Sequence, residues 1–181
     1  MLQIYVPGQE YWDEKKEEFK TGPDTIINLE HSLIAISKWE SKWHKPFLNK
    51  IQPSAEELMD YIKCMTINQN VKDDVYDRLT KNDIDKILQY MNDPMTGTTI
   101  TERGTYKNRR PEIVSSELIY YWMVVNQIPF ECQKWHINRL MTLIRICGIK
   151  NRPDKKMSKR NVMQQNAALN AARRQKLHTR G

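Results

Sequence analysis

The sequence predicts a mainly α protein: a helical domain with a short N-terminal β-ribbon and a basic C-terminal helix or arm. Three observations predict it. Short β-branched runs stand at 2–6 and 25–30, apolar residues recur at helical spacing from 31 to 151, and positive charge gathers at the end of the chain. The expected division is a mostly helical globular domain over 1–151 and a basic linker with a C-terminal helix or arm over 152–181.

"LQIYV" (2–6) and "TIINLE" (25–30) read as two strands of a ribbon, with "PGQEYWDEKKEEFKTGPD" as a long charged connection. Two strands alone are marginal, so the ribbon must lie against something. In "HSLIAISKWESKWHKPFL" (31–48), Leu33, Ile36, Trp39 and Trp43 form a helical stripe that Pro46 ends. "SAEELMDYIKCM" (54–65) opens with the Ser54/Glu57 capping box, and Leu58, Tyr61, Ile62 and Met65 form its inner face. Two short helices follow at 71–80 and 82–92, the second capped by Asn82 or Thr80. Residues 94–112, rich in Thr, Gly and Arg, read as a loop or small ribbon and as the internal segment best suited to move.

The apolar centre is "SSELIYYWMVVNQIPFECQKWHINRLMTLIRICGIKN" (115–151). Ser115 or Ser116 caps one helix, Pro129 breaks the run, and a second helix is expected from about Phe130 to Cys147 with Gly148 at its C′ position, giving a helical hairpin. Trp135, Leu140, Leu143, Ile144 and Cys147 are its expected core. Beyond the linker, Ser158 is the expected cap of a last helix over 159–177. That helix is dominated by Asn, Gln and Ala, so its folding should depend on a partner.

Composition sets the limits. The chain has 181 residues, which suits one domain and an appendage. Hydrophobic residues are 39% and mean hydropathy is −0.74, yet 5 Trp, 8 Tyr and 9 Met can build a core. No run approaches the ~20 apolar residues of a membrane span, and "MLQIYVPGQEYWDEKK" does not read as a secretory signal. Cys64, Cys132 and Cys147 are odd in number and scattered, which fits free thiols in a reducing cytoplasm. Net charge is +7, unevenly spread. Residues 145–181 hold 11 Lys and Arg against one acid, Asp154, whereas 1–144 hold 18 against 21. The result is a tail of +10 on a body of −3, an asymmetry that suggests an interaction arm and does not choose between nucleic acid, an acidic protein surface and simple solvation.

Motifs that carry chemistry are weak. Cys132 and His136 share a helix face at i, i+4, but two ligands do not make a zinc site, and a core thiol beside a half-buried imidazole explains them better. The cysteines lie on apolar stripes and no G-x-S-x-G occurs, so no nucleophile is assigned. Asp73, Asp74, Asp77, Asp83 and Asp85 sit at helix starts, where they complement the dipole; neither an EF-hand nor a phosphate loop is present. Trp39 and Trp43 with Lys38, Lys42 and Lys45 could stack on single-stranded nucleic acid, but amphipathic packing accounts for them better. Arg173, Arg174, Lys176 and Arg180 suit a protein partner at least as well as nucleic acid, since no helix-turn-helix signal or interleaved aromatics accompany them. No catalytic residue, metal ligand or cofactor is assigned.

"LEHSLIAISKWESKWHKPFL", the 115–151 segment and "NAALNAARRQKLHTRG" resemble proteins of the tail-gene cluster of tailed bacteriophages, in particular tail assembly chaperones. The resemblance spans 29–48, 54–65, 115–151 and 157–181. It implies a small, largely helical, non-enzymatic protein of the host bacterial cytoplasm. Such a protein coats the tape measure protein until the tail tube polymerises and leaves before the virion is complete. On this reading the partners are the tape measure protein or other tail proteins, with self-association open, nucleic acid less favoured and no membrane. Trp39, Trp43, Trp122 and Trp135 are the expected core or groove residues, and Arg173, Arg174 and Lys176 the expected tail contacts. The alternative is a structural virion component (neck, connector, tail or minor capsid protein) whose basic arm touches a neighbouring subunit or DNA. A small nucleic-acid-binding regulator is a further class, marked by steep salt dependence.

Overall fold

The computed structural model describes residues 1–14, 17–49, 53–100, 112–151 and 159–177. It corrects the predicted fold class. Instead of a mainly α domain with one short ribbon, the chain is mixed α/β: predominantly helical, with two small antiparallel sheets and, among the described residues, seven α-helices. Strands β1 (Leu2–Val6) and β4 (Thr25–Leu29) form one sheet, and β2 (Glu10–Asp13) and β3 (Glu18–Thr21) the other. The segment expected to be a connection is thus itself a hairpin.

Both sheets keep one register. Val6 faces Thr25 and Glu10 faces Thr21, which places Pro7 opposite Asp24 and Gly8 opposite Pro23. A proline has no N–H to give to a ladder, so two prolines on neighbouring rungs, one in each strand, interrupt one ribbon and leave two sheets. Gly22 N–H still reaches Gln9 O at 2.8 Å across the break. Gly8 allows this closeness, because a Cβ there would lie 1.9 Å from the Gly22 carbonyl oxygen. Arg78 Nη1 donates to the Pro7 carbonyl at 2.6 Å, supplying a donor beside the interruption.

On β4, Ile67 N–H donates to Asn28 O at 2.8 Å, and the Asn68 carboxamide continues the pairing. Its oxygen accepts from Asn28 N–H at 2.6 Å and its nitrogen donates to Ile26 O at 3.2 Å. Alternation puts Ile4, Val6, Ile27 and Leu29 on the inner face and leaves Tyr5 and Ile26 outside.

The helices are α1 (Leu33–Trp43), α2 (Ala55–Met65), α3 (Asp73–Asp77), α4 (Lys81–Asn92), α5 (Ser116–Val125), α6 (Ile137–Lys150) and α7 (Lys159–Leu177). Ser32 Oγ caps α1, and His44, with φ 53°, closes it in the left-handed region by donating to Glu40 O at 2.8 Å. The expected Ser54/Glu57 capping box on α2 is present, and Thr80 with Asp83 forms a second one on α4. The expected helix over 71–80 shortens to α3. Residues 93–100 and 112–115 adopt no helix or strand, and the rest of the expected mobile loop, 101–111, lies outside the described residues.

The predicted helical hairpin is also corrected. Residues 130–134 form a 3-10 turn, and α6 starts only at Ile137. Ile137 N–H donates to His31 O at 2.7 Å, and Ser32 bridges His136, so tertiary pairing holds Trp135 and His136 extended before the helix. Gly148 lies inside α6, not at C′, and is exposed. The helix α5 packs on α1, as the 3-10 turn does, while α5 and α6 are not a principal packing pair. Of the expected core here, Leu140 is buried, but Trp135, Leu143, Ile144 and Cys147 are only half-buried. The first turn of α6 enters the core, and Met141, Leu143, Ile144 and Cys147 pack against its edge.

The chain forms two compact units, Met1–Gly148 and Ile149–Gly181. The first contains one core, in which the inner ribbon face meets α1, α2, α4, α5 and the start of α6. The second contains α7; its expected cap, Ser158, lies outside the described residues.

Candidate functional site

The four tryptophans do not converge on a groove. Trp39 is buried, with its indole N–H donating to Glu57 O at 3.0 Å. Trp43 stacks on it at 6.0 Å and donates to Asp60 Oδ2 at 2.9 Å, with Lys42 and Lys45 over its ring. These contacts brace α1 against α2. Trp122, on α5, and Trp135, beneath the Arg139 guanidinium at 4.3 Å, are half-buried elsewhere. Among the described residues, the aromatic contacts join neither to the Trp39–Trp43 stack.

Arg173, Arg174 and Lys176 lie together in the last turns of α7. The helix holds five cations (Lys159, Arg160 and those three) and no acid over 19 residues. Its described side chains are all exposed, with Met163 and Leu177 among the most accessible apolar residues of the chain. Apolar positions do not form one stripe. Ala-rich composition favours the helix, but no buried face secures it.

A second surface escaped the sequence reading. Tyr121, Val124 and Val125, at i, i+3 and i+4 on α5, are 61%, 59% and 59% exposed. Phe130 lies beside Tyr120, rings 6.3 Å apart, and is 54% exposed. The opposite side of α5 buries Ser116, Ile119 and Met123. The signal was available: residues 118–130 contain no charged side chain, and a helix apolar on all sides needs cover on more than one. Trp12 and Phe19 make a third apolar spot, packed edge to face at 5.0 Å on the far sheet of the ribbon.

Under the ribbon lies a cavity of about 520 Å³, lined by Gln9, Tyr11, Pro23, Asn70, Val75 and Arg78, among others. Arg78 is committed within it, to Pro7 O, to Asp74 O at 3.2 Å and to the Asp74 carboxylate at 3.5 Å.

The most polar part of the core is a chain of rings. Tyr61 hydroxyl and His31 Nδ1 share a hydrogen bond of 2.5 Å, and His31 and His136 meet edge to face at 5.1 Å. His136 Nε2 donates to Tyr90 O at 3.1 Å, and Tyr90 hydroxyl donates to Glu30 at 2.7 Å. Burial lowers His31 to about 3 with help from His136, and burial also lowers His136. Both rings are therefore neutral near pH 7, tying α2 and α4 to the start of α6. Burial pushes the Cys64 thiol up, which disfavours thiolate. Among the described residues no group of three or more His, Cys, Asp or Glu could hold a metal ion, and no helix is long and apolar enough to cross a membrane. No family model, curated protein or solved structure matches the chain.

Proposed function

We propose that this protein is a non-enzymatic assembly factor of a tailed bacteriophage: a tail assembly chaperone that binds the tape measure protein, or other tail components, in the host cytoplasm. The observation that carries the reading is α7, a 19-residue basic helix with exposed side chains, next in sequence to a folded unit. A helix of this composition gains a buried face by docking on a partner. A long helical client presents apolar faces before assembly and would otherwise aggregate. The apolar surface on α5 and the basic arm together suit such a client, through several weak contacts that allow later release.

Co-expression with the tape measure protein of the same gene cluster tests this. The chaperone keeps the client soluble and co-purifies with it. Ending the chain after Asn151, or combining Arg173→Glu, Arg174→Glu and Lys176→Glu in the full chain, reduces capture. Absence of capture together with recovery of the protein from purified virions overturns the reading and favours a structural virion role, in which a tail of +10 meets a neighbouring subunit or DNA.

A further inference from the structure

We infer that the cavity under the ribbon is a binding site for a small, hydroxyl-rich molecule with one anionic group: a sugar acid or a sugar phosphate. The inference does not rest on the phage reading.

The cavity has two walls, and long-range bonds fix both. The ribbon forms one wall; segment 68–72 and α3 form the other. Asn68 pins its segment to β4 through Asn28 N–H at 2.6 Å and Ile26 O at 3.2 Å. Arg78 pins the end of α3 to Pro7 O at 2.6 Å, and Gly22 N–H closes the ribbon side on Gln9 O at 2.8 Å. Val75 anchors α3 in the core. The space between the walls is therefore built in advance of any ligand, and about 520 Å³ falls within the range of small-molecule sites.

What lines this space is polarity that the fold does not use. Among the described residues, the side chains of Gln9, Gln69 and Asn70 form no hydrogen bond, and Lys72 forms no ion pair. Arg78, by contrast, is spent on Pro7 O and Asp74 O, and its guanidinium balances the Asp74 carboxylate at 3.5 Å. Lys72 is thus the lining cation whose charge is left to a ligand. Tyr11, 55% exposed, adds an aromatic ring.

Elimination then selects the ligand. An apolar molecule meets too little apolar wall, a cation meets no unpaired carboxylate, and a polyanion meets one ammonium close to Asp74. A carboxamide carries a donor and an acceptor side by side, which matches neighbouring hydroxyls. The C–H face of a sugar ring suits the negative face of the tyrosine ring. The Lys72 ammonium takes the carboxylate or phosphate by a charge-assisted hydrogen bond.

Nuclear magnetic resonance titration of the full chain tests this with four probes: glucuronate, glucose monophosphate, glucose and inorganic phosphate. The two acidic sugars shift the amides of Gln9, Gln69, Asn70 and Lys72, with dissociation constants on the order of 0.1–1 mM at the efficiency usual for ligands of this size. Glucose and inorganic phosphate each bind about tenfold more weakly or worse, since each makes half of the contacts. Lys72→Met weakens both acidic sugars by about tenfold and leaves glucose as it was. Gln69→Ala weakens all three sugars. Neither variant changes the melting temperature, because both side chains are exposed. Lys81→Met, an exposed cation on α4 outside the cavity lining, alters nothing. The assignment is overturned if no probe shifts these amides, or if Lys72→Met leaves the acidic sugars bound as before. It is also overturned if inorganic phosphate binds as tightly as glucose monophosphate, which would make this an anion site only.

Discussion

The Glu40 carboxylate of α1 caps the first turn of α5: its Oε2 accepts from Ser116 N–H at 2.7 Å, while Oε1 accepts from Phe47 N–H at 2.8 Å. One buried side chain thus satisfies two main-chain donors 69 residues apart in sequence. The residue just before α5, Ser115, forms no side-chain cap of its own, so α5 depends on α1 for its start.

Glu40→Ala leaves both donors buried without their acceptor and should destabilise the fold by about 2–4 kcal/mol. Glu40→Gln keeps one acceptor and should cost about 1–2 kcal/mol, since the negative charge at the helix N-terminus is lost too. Urea denaturation of the two variants measures both, and equal losses would contradict the shared-cap account.

Acidification should begin to destabilise the protein before its carboxylates titrate. An exposed histidine in the unfolded chain takes a proton near pH 6.5, whereas folded His31 resists until about 3 and His136 is lowered in the same direction. Below pH 6.5 the unfolded state therefore binds more protons. Stability falls as pH falls, by about 1.4 kcal/mol per pH unit for His31 alone, until the folded ring titrates. Asp24, Glu57, Asp60 and Asp83, all lowered by hydrogen bonds and ion pairs, add losses in the same direction only in the carboxylate range. Thermal melts of wild type and His31→Gln between pH 7 and 5 separate the two: the variant should show a shallower slope.

Gly8→Ala should open the ribbon. A methyl group 1.9 Å from the Gly22 carbonyl oxygen forces main chain against main chain, and no flexible side chain can yield there. Hydrogen exchange should show lost protection at Gly22 and along β2–β3, with little change in α1 or α2. Unchanged exchange at Gly22 would reject the close approach.

His44→Gly should stabilise the fold by about 0.5–1 kcal/mol, because φ of 53° strains a residue with a Cβ and suits glycine. A rise in melting temperature checks this. A fall would mean that the imidazole contributes more than the strain costs.

The sequence announced those elements whose signals are local. The Ser54/Glu57 box marked α2, and β-branched runs marked β1 and β4. Strands β2 and β3 were missed because "EYWD" and "EFKT" bury nothing. They pair by continuing the register of the first sheet, with Trp12 on Phe19 and Lys20 on Asp13. The start of α6 was misplaced because apolar spacing runs on through 130–136, and only pairing with His31 and Ser32 interrupts the helix. Gly148 resembled a stop but costs an exposed helix about 1 kcal/mol, which packing earlier in α6 absorbs. The tryptophans were legible as large apolar groups, but not as members of separate contacts. Periodicity says which residues share a face. It does not say whether another element covers that face, which is why the exposed side of α5 emerged only in three dimensions.

Asn68 has a consequence for what the ribbon can do when identical chains meet. A two-stranded ribbon carries an open edge, and an open edge is a template on which identical chains can line up into fibres. With its side-chain amide the asparagine occupies the Asn28 and Ile26 positions that an incoming strand would use. Beside the Ile67 N–H, this carboxamide thus acts as a stopper against strand addition on the β4 edge.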